Sequence, residues 1–155
     1  MRPELSPPSL DEARVARLAA LAAQIDGAHP GQWEDALTEF NAEAGTALAF
    51  SYFQGIYGGQ DHTTWVRTLL AAPHQRRVPD ISHAELVELA RRVMEADGEE
   101  HEVAFWVGML ALNIPDPQVS DLIFWPGEYF GDGNNARELT PEEVIDIALA
   151  RPRRA

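Results

Sequence analysis

Val119-Ser120-Asp121-Leu122-Ile123-Phe124-Trp125-Pro126-Gly127 sets four large apolar residues in a row between a helix start signal and a helix stop signal. Ser120 can act as an N-cap, and Asp121 then places a negative charge at the positive end of the helix it opens. Pro126 stops that helix after about one and a half turns. A helix this short does not hold on its own propensity, so its neighbours must pin it. Its faces cannot bury Leu122, Ile123, Phe124 and Trp125 against one core. Either the turn is a fully buried plug, or Leu122 and Ile123 hold it down while Phe124 or Trp125 faces outward. Spacing alone leaves both readings open.

The flanking segments are helical. Ser82 and Glu85 are spaced as a capping box, and Leu86, Leu89, Ala90, Val93 and Met94 follow as a helical stripe until Asp97-Gly98 breaks it. Glu99, Glu100 and Glu102 fill the first turn of the next helix, where the dipole favours acid. Its expected buried stripe is Val103, Trp106, Val107 and Leu110, and Pro115 and Pro117 end it. Beyond the aromatic turn, Gly127 to Asn135 reads as a loop. Thr140-Pro141-Glu142-Glu143 is a capping box with proline at the first helical position, and Val144, Ile145, Ala148 and Leu149 form the apolar side of that helix.

The first half has the same order. Residues 1–8 read as a proline-rich, disordered lead. Ser9 and Glu12 are spaced to cap a helix carrying Val15, Leu18, Leu21, Ala22 and Ile25. A second helix carries Trp33, Ala36, Leu37 and Phe40 to about Ala44, Phe50 to Phe53 make a short aromatic turn, and a helix from about Asp61 follows. Asn41 and Asn113 precede the two aromatic turns 72 residues apart. At that offset Phe50 meets Leu122, Tyr52 meets Phe124 and Phe53 meets Trp125, while Ala49 stands where the second half has Asp121. The agreement is either an internal duplication or a chance match of helical, alanine-rich segments. With no sustained period-two alternation, the expected fold is all-α: tandem small four-helix bundles, each distorted by a short third helix. The expected division is a lead at 1–8, a helical domain at 9–72 that would be the diverged copy, a linker at 73–80 containing Arg76-Arg77, and a bundle at 81–151.

Composition narrows the function. The net charge of −13 argues against direct nucleic-acid binding and fits a strongly basic protein partner. It also serves solubility. The acid collects in the second half, with sixteen acids against six arginines in residues 80–155 and nine against six in residues 1–79. No apolar run suits a membrane span and the first residues have no apolar signal-peptide core, so the expected location is cytoplasmic. Without cysteine there is no disulfide and no thiolate metal site.

Enzymatic and metal chemistry find little support. His29, His62, His74, His83 and His101 include no i, i+4 pair and stand in no standard ligand frame. Asp132-Gly133-Asn134 with Glu143 fails as a calcium loop, because Ala136 and Arg137 occupy positions that need an oxygen ligand and a glycine. Tyr57-Gly58-Gly59-Gln60 is not followed by the Gly-Lys-Ser/Thr of a phosphate loop. No two carboxylates are singled out as an acid–base pair. No cofactor is expected, and Arg76-Arg77 reads as a linker feature.

From about Asp80 to Arg151 the chain resembles the immunity proteins of nuclease bacteriocins, the colicin and S-type pyocin family. The resemblance rests on the helix pattern of Leu86 to Met94, the acidic start of the following helix, the run Pro117-x-x-Ser120-Asp121-Leu122-Ile123-aromatic-aromatic-Pro126, and the Pro-Glu-capped last helix. It implies a distorted four-helix bundle that binds a toxin's nuclease domain beside its active site and blocks the substrate without chemistry of its own. Matched residue by residue, it implies a shared anchor at Asp121, Phe124 and Trp125. It puts the positions that select the toxin at Glu100, Val103, Ala104, Val107 and Ala111. Well-known members carry a tyrosine pair where this chain has Phe124-Trp125, and the loop Gly127 to Leu139 is longer than usual, so the anchor's hydrogen bonds do not carry over. The resemblance favours Leu122 and Ile123 pointing inward and Asp121, Phe124 and Trp125 outward. The rival reading is a helical adaptor that keeps the fold and binds another basic protein.

Overall fold

A computed structural model of the chain describes residues 1–29, 31–56 and 61–150. The protein is all-α: the described residues form helices and turns, with no strand among them. No helix among them is long and apolar enough to cross a membrane. The Tyr57-Gly58-Gly59-Gln60 loop and Arg151 lie outside the described residues. The chain divides into two compact units, Pro8–Ala71, and Met1–Pro7 together with Ala72–Ala155.

In the Pro8–Ala71 unit, α1 (Glu12–Asp26) is capped by Asp11, whose carboxylate accepts the N–H groups of Ala13 and Arg14 at 3.0 and 3.3 Å. The expected Ser9 cap therefore gives way to a residue that satisfies two orphan donors from nearer the helix. Val15, Leu18, Ala22 and Ile25 of α1 are buried. They face α2 (Glu34–Ala44) and α3 (His62–Ala71). A 3-10 turn at Phe50–Phe53 closes the core. There Phe53 meets Phe40 edge-on, with centroids 4.9 Å apart, and packs at 5.1 Å from Trp65. Phe50 stacks on Trp33.

The other unit contains α4 (His83–Met94), α5 (Glu100–Asn113), α6 (Val119–Phe124), α7 (Pro126–Phe130) and α8 (Pro141–Ala150). Ser82 and Glu85 form the capping box expected for α4, and Leu86, Leu89, Ala90 and Val93 are buried. The α8 start also follows expectation, with the Thr140 hydroxyl accepting the Glu143 N–H. Helix α4 packs against α5 and α8, while α6 touches α5, α7 and α8. The first helix of each unit thus packs against the second and the last.

Three expectations need correction here. The lead is ordered: Pro3–Leu5 is a 3-10 turn, Leu5 is fully buried, and Arg2 forks onto Glu85 at 2.6 and 2.9 Å and onto Asp80 at 3.1 Å. One leucine among prolines has no periodicity, so composition hid an anchor that needs only one apolar contact and one bidentate pair. The 73–80 stretch is not a free linker. It starts in a 3-10 turn, Ala72–His74, and then runs along α5, with Val78 N–H donating to Asn113 Oδ1 at 2.7 Å and Asn113 Nδ2 donating to the Arg76 carbonyl at 3.0 Å. Finally, Pro126 both ends α6 and opens α7, because proline suits the first position of a helix. The expected Gly127–Asn135 loop therefore begins only after Phe130.

Candidate protein-interaction surface

The start of α6 is built from Asp116, not Ser120. Gln118 occupies the N-cap position without a side-chain bond, and Ser120 lies inside the helix. The buried Asp116 carboxylate takes the Gln118 N–H at 2.9 Å and the Tyr129 hydroxyl at 2.6 Å. One carboxylate thereby fixes the entry to α6 and ties it to α7. No local spacing joins Asp116 to Tyr129, so only the fold reveals the pair. Asp121 stays in the first turn, where its charge suits the dipole.

The fixed turn separates its apolar residues. Val119 and Leu122 are buried and Ile123 is half-buried. Phe124 is 47% exposed and Trp125 53%. The plug reading fails for these two rings, because Trp125 is the junction residue between α6 and α7 and its backbone leaves the helical region there. Close packing holds the junction. Gly127 is buried, donates its N–H to Asn135 Oδ1 at 2.9 Å, and has Asn134 N only 2.4 Å from where a β-carbon would sit.

Helix α5 is apolar without interruption from Val103 to Leu112. Periodicity therefore cannot tell which side is buried. The buried residues are Phe105, Trp106, Met109 and Leu110, which corrects the expected stripe by exchanging Val103 and Val107 for Phe105 and Met109. Val103, Ala104 and Val107 are half-buried, while Glu100, Ala111 and Leu112 are exposed. Spacing of four residues stacks Val103, Val107 and Ala111 on one face. Gly108 lies beside it, under Gln75, whose amide donates to the Phe105 carbonyl. Val103, Val107 and Ala111 thus leave apolar surface open to solvent on successive turns of α5.

The same elements carry exposed acid. Asp97, Glu99 and Glu100 are exposed at the start of α5, and Glu128 is exposed on α7. Asp132 is engaged by Arg137, and the Asn134 N–H above all lowers its pKa. Among the described residues, Glu99, His101 and Glu102 are the ones able to gather metal-donor atoms, within 4.8 Å of each other. Their geometry is that of a helix start: Glu102 accepts the Glu99 N–H at 3.0 Å and completes a capping box.

The comparisons bear on this same unit. Residues 78–150 match the family described as colicin immunity protein / pyocin immunity protein. The chain is also 32% identical over 69 residues to an uncharacterized protein of Bacillus subtilis (strain 168), YezA; the match covers 44% of this chain and 88% of that one. No solved structure matches the chain.

Proposed function

The chain belongs to the colicin immunity protein / pyocin immunity protein family through residues 78–150, which gives it a bacteriocin immunity role, and we propose that it inhibits a cognate toxin by covering the nuclease domain beside the active site. The observation that carries this reading is the outward pair Phe124 and Trp125 on a turn whose inner side is pinned by Val119 and Leu122. Removing a large aromatic ring from water is worth ~1.5–3 kcal/mol. Such rings dominate binding hot spots when other contacts shield them. Asp121, Phe124 and Trp125 form the anchor. Glu100, Val103, Ala104, Val107 and Ala111 on α5 select the toxin. The net charge of −13 steers a cationic, nucleic-acid-binding domain toward this face and repels its substrate. The protein acts by occlusion and catalyses nothing.

The Pro8–Ala71 unit has an auxiliary role in this reading. Phe53, matched to Trp125 by the 72-residue offset, is fully buried, so of the two matched rings that turn exposes Tyr52 and not Phe53.

The test is co-purification with the nuclease domain of a toxin encoded beside this gene, followed by a nuclease assay on the complex. Stoichiometric binding with loss of cleavage is expected. Trp125→Ala is expected to speed dissociation at least about tenfold while leaving helicity and melting temperature in place. A wild-type protein that neither binds nor inhibits overturns the proposal.

A further inference from the structure

Arg2, Arg17, Arg67, Arg91, Arg92 and Arg137 each sit within salt-bridge distance of a carboxylate. Among the described residues, Arg14, which donates to the Glu43 carbonyl, and Arg76 and Arg77 have no carboxylate at that distance, although Arg76 and Arg77 are exposed in a chain with 25 acids. Arg77 is nonetheless held in place. Its Nε donates to the Leu112 carbonyl at 3.2 Å, in the last turn of α5.

Arg77 forms the wall shared by two troughs. One, of about 380 Å³, is an open trough of mixed polar and apolar surface whose lining includes Ala111, Leu112, Pro115 and Pro117. The other, of about 260 Å³, runs past Val78, Pro79 and Ile81. Leu112 is 41% exposed. A guanidinium held beside the exposed Leu112 side chain is suited to take a carboxylate with two parallel hydrogen bonds, next to a neighbouring apolar group.

Resting on the immunity reading, we propose that Arg77 is a specificity-determining residue that receives a carboxylate of the toxin's nuclease domain, with an adjacent apolar side chain of the toxin seated over Leu112 in the trough. Ala111 belongs both to the α5 face and to this trough, so the two surfaces are continuous. Along α5 the display runs from acid at Glu99 and Glu100, through apolar Val103, Val107 and Ala111, to the cation Arg77. At 1.5 Å per residue, Glu100 and Leu112 are about 18 Å apart. A partner must therefore present cation, apolar group and carboxylate in that order, which fixes its orientation and excludes toxins that are basic throughout.

The experiment measures dissociation of the neighbouring toxin's nuclease domain from the full-length wild type and from Arg77→Ala, Arg77→Lys and Arg77→Glu, with melting temperatures recorded in parallel. Arg77→Glu is expected to raise the dissociation rate at least about tenfold, Arg77→Ala less, and Arg77→Lys least. One Asp→Lys or Glu→Lys change in the toxin should restore binding to Arg77→Glu, because the pair is then reversed in sign. Wild-type rates in all three variants overturn the inference while leaving the immunity reading intact. Weaker binding that tracks a lower melting temperature and is restored by no toxin charge reversal assigns Arg77 to capping α5 and also overturns it. Failure of the wild type to bind overturns the functional reading and this inference with it.

Discussion

The Tyr129 hydroxyl donates to the Asp116 carboxylate at 2.6 Å, both residues being buried and 13 positions apart in the chain. Because Asp116 also takes the Gln118 N–H, this contact sets where α6 begins and how α7 returns against it. Tyr129→Phe keeps the ring and removes the donor, leaving a buried carboxylate one partner short. A loss of about 1–3 kcal/mol is expected, read from urea denaturation. An unchanged urea midpoint would show that water replaces the hydroxyl at no cost.

Leu5 makes a second structural prediction, because it places the first seven residues in the same unit as α4 to α8. A leucine with no exposed surface leaves a cavity when cut to alanine, at a cost of about 2–5 kcal/mol. Leu5→Ala should lower the melting temperature of that unit, and removing residues 1–7 should lower it at least as far. A truncated chain that melts like the full one would mean that the segment merely rests on the surface.

Most helices were legible because their signals are local. Ser82 with Glu85 and Thr140 with Pro141 mark starts by chemistry within one turn, and Leu86 to Val93 mark a buried face by spacing. Spacing left the aromatic turn open between buried plug and contact surface; the family resemblance favoured Leu122 inward and Phe124 and Trp125 outward, and their exposures agree. What stayed hidden was non-local or without period. Asp116 meets Tyr129 across a loop, Leu5 is a single apolar residue, and α7 is too short to show periodicity. Helix α5 failed for the opposite reason. It is apolar all round, so only the helices packed against it decide that Phe105 and Met109 go inside.

Acid sensitivity should come partly from Glu88. The Arg91 guanidinium, with help from Arg92, holds its carboxyl at about 2, below the usual carboxylate range. A pKa lowered on folding gives stability that is present at neutral pH and is lost as pH falls from about 4.5 through about 2. The side chains are about a third exposed, so water limits the contribution to less than ~1 kcal/mol. Glu88→Gln should therefore be slightly less stable than wild type at pH 7, with the gap narrowing by pH 3. A gap that is constant with pH, or a carboxyl NMR titration midpoint above 4, would remove Glu88 from the acid response.

Gly127→Ala sets two effects against each other at the junction that carries Trp125. Alanine is the better helix former by about 1 kcal/mol, and Gly127 lies inside α7. Yet its β-carbon would fall 2.4 Å from Asn134 N and 2.5 Å from the Gly133 carbonyl carbon, both backbone atoms that cannot rotate away. Relief requires moving the 133–134 turn and loosening the Gly127–Asn135 hydrogen bond. Overpacking of this kind costs about 1–3 kcal/mol, so the clash should outweigh the propensity gain and the variant should be less stable. Because Trp125 lies two residues away and takes its direction from the same junction, toxin dissociation should speed up by more than the stability loss alone produces. Measured together, urea midpoints and dissociation rates decide it: a variant as stable as wild type would mean the turn yields freely, and normal dissociation despite lost stability would mean that Trp125 is positioned by α6 alone.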